Sequence, residues 1–102
     1  MDELRQLRQA FDQLADANNW HPNHTPKNLA ITISVETAEL LEIFQWLGGE
    51  KSNKLTIEQH QWVGDEIANV FLYLLCLSDR LNIGLVKVAR GKMEKNKQRL
   101  NQ

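Results

Sequence analysis

The sequence predicts an all-α protein, and three observations carry that expectation. Apolar residues recur at helical spacing over long segments, the breaks between segments collect Gly, Pro and Asn, and no alternating strand pattern rises above background. With 102 residues and no internal repeat, low-complexity tract or linker, the chain reads as a single domain, residues 1–102.

Leu4, Leu7, Phe11 and Leu14 share one face, with Arg5, Arg8, Asp12 and Asp16 elsewhere on the wheel, so a first amphipathic helix runs from Asp2 to about Asn18. The stretch NNWHPNHTP breaks it. Thr25 followed by Pro26 has the form of an N-cap with proline at the first helical position, opening a second helix. That helix is expected to reach Leu47, where Gly48-Gly49 supplies a stop signal. Glu50 to Leu55 reads as a polar loop, and Thr56-Ile57-Glu58-Gln59 as a capping box that starts a third helix, ending near Leu81. Asn82-Ile83-Gly84 interrupts again, and a strongly polar last helix covers Leu85 to about Arg99.

The third helix bears on assembly. From Ile67 to Leu77 almost every position is apolar, all around the wheel. A helix apolar on every side must be covered on every side. One small chain has too few partners for it, so a homo-oligomer is expected, most economically a two-fold one.

Composition excludes several classes. The chain is 42% hydrophobic and 25% charged, which argues against disorder. A formal net charge of −1 provides no field for nucleic acid or an anionic membrane. Cys76 is the one cysteine, so neither a disulfide framework nor a cysteine zinc site forms within one chain. The start, MDELRQLRQ, lacks the apolar core of a secretory signal, and the longest apolar run is too short for a bilayer. A cytoplasmic protein is expected.

Two polar patterns stand out within this core-type sequence. VETAELLEIFQW places Glu36, Glu39 and Glu42 three residues apart, and DEIANVFLYLLCL places Glu66 and Asn69 at the same step. Residues at that step share a helix face. If the two helices pack antiparallel, three carboxylates and one amide converge. Converging carboxylates repel unless a proton or cation intervenes, and an oxygen-only set suits Mg²⁺ first and Mn²⁺ second. The bland reading is a solvated acidic face, but Val63, Ile67 and Val70 around Glu66 and Asn69 are core types. A dinuclear iron bundle needs a Glu-x-x-His step, and His21, His24 and His60 sit in none. His21 and His24 form a His-x-x-His pair with no soft ligand nearby, which does not favour zinc.

These two stretches, in this order, resemble the paired Glu-x-x-Glu and Glu-x-x-Asp motifs of the MazG-like, all-α nucleotide pyrophosphohydrolases, in the short dCTP-pyrophosphatase-type branch. The likeness extends to NWHPNHTPKNL before them and KMEKNKQR after them, so it covers about Trp20 to Arg99. It implies a four-helix-bundle-type fold assembled as a homodimer or a dimer of dimers. It also implies Mg²⁺-dependent hydrolysis of nucleoside triphosphates to the monophosphate and pyrophosphate, clearing nucleotides from the pool. By resemblance, Glu36, Glu39 and Glu66 are the metal ligands and catalytic acids, and Asn69 stands where the family has a fourth, aspartate ligand. Trp20, His24, Trp46 and Tyr73 match positions around the base and sugar, and Lys92 and Asn96 match positions that reach the phosphates or the metal shell. Asn69 contributes no charge, so a nucleotide-binding or regulatory module with weak or no hydrolysis is the alternative.

Overall fold

In a computed structural model of the chain, residues 2–20 and 23–100 are described here. Four helices follow one another: α1, Glu3–Ala17; α2, Pro26–Phe44; α3, Ile57–Arg80; and α4, Leu85–Leu100. Among the described residues there is no strand. The all-α expectation holds.

The caps follow local chemistry. Asp2 accepts the Leu4 N–H at 2.9 Å and starts α1. Thr25 Oγ1 accepts from Asn28 N–H at 3.2 Å with Pro26 just inside α2, as its sequence predicts. At α3 the capping box is complete: Gln59 N–H donates to Thr56 Oγ1 at 3.1 Å, and Thr56 N–H to Gln59 Oε1 at 2.9 Å. Helices α1 and α3 end by another device, an asparagine in the left-handed region: Asn19 at φ 53° and Asn82 at φ 55°. The short polar side chain of asparagine tolerates that conformation, and the turns close through Trp20 N–H to Ala15 O and Ile83 N–H to Ser78 O.

One boundary differs from expectation. Helix α2 closes at Phe44 and not at Leu47. Gln45 keeps right-handed torsions and Leu47 N–H bonds back to Phe44 O at 2.9 Å, so the chain leaves through a tight right-handed turn. Neither Gly48 nor Gly49 takes a positive φ, so neither acts as a left-handed stop. The loop beyond contains one turn of 3₁₀ helix, Lys51–Asn53.

Helices α2 and α3 form the main packed pair, and α1 lies against α3. The ring contact of His24 with Tyr73 and the hydrogen bond of Asn69 to Glu36 show that the pair runs antiparallel. Among the described residues the buried core is small: Ala15, Leu29, Leu75 and Cys76. Arg8 and Asp79 form an ion pair that ties α1 to the end of α3. Helix α4 turns away from α3 by 101° and contains no buried residue. The radius of gyration, 16.4 Å, exceeds the value of about 13 Å typical of a compact chain this long. Ile31, Val35 and Leu41 on α2, Ile67, Phe71 and Leu74 on α3, and Met93 and Leu100 on α4 remain exposed. The apolar girth of α3 is only partly covered within the chain. Among the described residues, no single helix is long and apolar enough to cross a membrane.

Candidate metal centre and its surroundings

Glu36 and Glu39 stand one turn apart on α2, and Glu66 faces them from α3. One carboxylate oxygen from each lies within 4.8 Å of the others. The surrounding helix is built to present them: Ser34 and Thr37 donate their hydroxyls back to Ala30 O and Ile33 O, satisfying the neighbouring polar side chains locally. Glu36 and Glu66 are half-buried, and Glu39 is exposed. Glu66 Oε2 is fully covered and has no hydrogen-bond partner.

Glu66 is pushed up from 4.5 to about 7. The first cause is a hydrogen bond that Glu36 can form with it once one of the two carries a proton. Burial and the negative charges of Glu36 and Glu39 add to it. With both ionised, neither carboxylate has a proton to donate and the two repel. A cation would satisfy Glu66 Oε2 and remove the repulsion. Three carboxylates within reach of one another, one of them with an orphaned buried oxygen, fit a hard divalent ion.

Asn69 lies beside this group, as the spacing implies. Its Nδ2 donates to Glu36 Oε2 across 3.5 Å, a long contact that only an amide, and not an aspartate, could make as donor. Glu42, the third acid of the α2 stripe, is not part of the cluster. It lines an adjoining groove of about 390 Å³ with Glu39, Ile43, Gln45, Trp62 and Glu66.

On the other side of the acids, towards the start of α2, four rings gather. His24 stacks on Phe11 with centroids 5.9 Å apart, and Tyr73 meets Phe11 edge-on at 5.7 Å and His24 at 6.4 Å. Trp20 lies 6.2 Å from His24, tilted. Burial raises the Tyr73 phenol, and the charge of Glu36 raises it further, so the ring cluster and the acids are electrostatic neighbours.

Three of the four aromatic candidates, Trp20, His24 and Tyr73, are therefore brought together. Trp46 is not: it sits past the opposite end of α2 and is 87% exposed. Lys92 and Asn96 are carried away on α4, where Asn96 lines a groove with Met93, Lys97 and Leu100. No α4 residue lines the groove beside the acids. His21 lies outside the described residues. The sequence reading missed Phe11, whose place in the α1 stripe reads as core, and Trp62. A helical net gives a signal for Trp62, since it precedes Glu66 by one turn.

Comparison with known proteins agrees with the all-helical fold. The model of the MazG-like family matches residues 31–102. Curated relatives include mammalian proteins named dCTP pyrophosphatase 1: the Rattus norvegicus protein is 28% identical over 98 residues, and the Homo sapiens one 29%. Each alignment covers 94% of this chain and 58% of the relative, so the chain spans little more than half the length of those proteins. A crystal structure of a pyrophosphatase from Archaeoglobus fulgidus superimposes with a TM-score of 0.93 at 37% identity, covering 100% of this chain and 95% of that one. The chain belongs to the MazG-like family.

Proposed function

We propose that the chain hydrolyses nucleoside triphosphates, deoxynucleotides in particular, to the monophosphate and pyrophosphate, with Mg²⁺ or its substitute Mn²⁺ held by Glu36, Glu39 and Glu66. The observation that carries this reading is the convergence of the three carboxylates, one oxygen of each within 4.8 Å of the others, with a buried oxygen of Glu66 left unpartnered. A cation bound there supplies charge neutralisation for the phosphate oxygens. Asn69 orients Glu36 through its amide and offers its carbonyl oxygen as an uncharged fourth donor. One carboxylate of the cluster positions the attacking water. Trp20, His24 and Tyr73 present ring faces and polar tips to the base and sugar. The relatives' names make dCTP the first substrate to test.

Self-association is part of the proposal. Among the described residues, none that lines the groove beside the acids is basic, whereas α4 carries Lys87, Arg90, Lys92, Lys95, Lys97 and Arg99 against one acid, Glu94. In a homodimer or homotetramer, α4 of a second copy would bring Lys92 and Asn96 to the phosphates, and Trp46 of a second copy could reach the ring cluster. Asn69 brings no charge to the cluster, and on that ground the other reading is a nucleotide-binding or regulatory module that hydrolyses weakly or not at all.

Pyrophosphate release over a panel of nucleotides with Mg²⁺ separates the two. The expected outcome is turnover that Glu36→Gln, Glu39→Gln or Glu66→Gln each abolishes with the helical signal intact. Three variants that behave like the parent would leave the acids as a solvated face.

A further inference from the structure

Trp62, Glu66, Asn69 and Tyr73 follow one another along α3 at steps of four, three and four, which places them in one stripe on one face. At about 1.5 Å of rise per residue, the two rings stand about 16 Å apart along the axis, with the acid and amide between them. Tyr73 belongs to the ring cluster at one end. Trp62 marks the other end, 63% exposed, on the groove that shares Glu39 and Glu66 with the acid cluster.

A nucleotide with its base at the Tyr73 end and its phosphates over the acids leaves Trp62 one turn beyond the phosphates. The groove therefore continues the proposed phosphate site past its far end, and its chemistry is that of a base site. Trp62 offers a flat ring for stacking, Ile43 an apolar wall, and Gln45 and Glu42 polar groups for a ring edge. Glu42 when ionised only accepts hydrogen bonds, so an exocyclic amine suits it and a carbonyl does not. Its volume, about 390 Å³, lies in the range of small-ligand pockets.

We propose that the Trp62 groove binds a second nucleobase, so that the chain takes dinucleoside polyphosphates, with an amino-bearing heterocycle at the Trp62 end. This rests on the reading of the acids as the phosphate site. In the reaction, the oxygen of water bonds to a phosphorus over the acids and the anhydride P–O bond opposite breaks. The bridging oxygen leaves with the electron pair, and the proton lost by the water passes to a cluster carboxylate and then to solvent. One water is consumed, and the products are a nucleoside monophosphate and a nucleoside polyphosphate.

Calorimetry on the full chain with Mg²⁺ tests this without turnover, using methylene-bridged analogues of diadenosine tetraphosphate and of ATP. The dinucleotide is expected to bind about tenfold more tightly, from one added base stack. Trp62→Ala should remove that margin while leaving the ATP analogue's Kd within about twofold, and Trp62→Phe should keep most of it. Equal affinities in the parent, or a Trp62→Ala that weakens both ligands alike with helicity intact, overturns the proposal alone. Failure of both analogues to bind in an Mg²⁺-dependent way overturns it together with the reading of the acids.

Discussion

Asn69→Asp changes one amide to a carboxylate of nearly the same shape, and the structure lets its effect be worked out in advance. The amide nitrogen donates to Glu36 Oε2 across 3.5 Å. In the variant, that donor becomes a negative oxygen facing another. Two unit charges at that separation repel by about 5 kcal/mol at an effective dielectric of 20 and by about 1 kcal/mol in bulk water. Asn69 is exposed and Glu36 half-buried, so the cost lies towards the lower figure, about 1–2 kcal/mol. Without metal and near pH 8, the melting temperature should fall by about 5–15 °C for a chain of this size.

A divalent cation reverses the sign. A fourth carboxylate about 4 Å from it is attracted by several kcal/mol at the same dielectric, before repulsion from the three glutamates is subtracted. Melting temperature and pyrophosphate release, each titrated with Mg²⁺ at one fixed protein concentration, read the two effects separately. The variant should need at least about tenfold less Mg²⁺ for half-maximal stabilisation, a net gain of only about 1.4 kcal/mol. Identical metal-free melting and identical Mg²⁺ dependence in the two proteins would refute the reasoning and put Asn69 out of reach of both Glu36 and the cation.

Two further outcomes follow from the same geometry. Glu66 holds its proton in the fold up to about pH 7, against 4.5 for an ordinary glutamate. The stability this contributes is complete below about pH 4.5 and is lost as pH rises through about 7. In EDTA, the melting temperature of Glu66→Gln relative to the parent should therefore climb across that window, and a level difference would count against convergence of the acids. Assembly is the other outcome: light scattering should show a dimer or tetramer at micromolar concentration, and Leu74→Glu, at a side chain 38% exposed in the single chain, should dissociate it. A parent that stays monomeric would remove the second copy from the proposed site.

Local chemistry explains why most of the fold was legible. Thr25-Pro26 and the Thr56–Gln59 box satisfy orphaned N–H groups with side chains that the sequence names, so both helix starts could be placed to the residue. The end of α2 could not, because Gln45 to Leu47 turn without a left-handed residue and give no compositional mark, while Gly48-Gly49 supplied a false one. The left-handed stops fall instead on Asn19 and Asn82, residues whose side chains also suit loops of other kinds.

The site divides in the same way. Glu36, Glu39, Glu66 and Asn69 were legible because a three-residue step fixes a face, and the antiparallel pairing of α2 and α3 brings the two faces together. The ring cluster was legible only in part, since Phe11 sits at a position where an apolar ring fits a core equally well. Position along α2 decides what one chain can do with the remaining candidates. Trp46 follows the end of this 19-residue helix and His24 precedes its start, roughly 30 Å away at helical rise, so no single nucleotide in one chain touches both. Lys92 and Asn96 leave with α4 at 101° to α3. Residues that act together on one substrate must then come from two copies, or some of them do not act on it. The exposed apolar faces of α2 and α3 favour two copies, and a second α4 serving the acids, as proposed, would meet a need: among the described residues, none that lines their groove is basic.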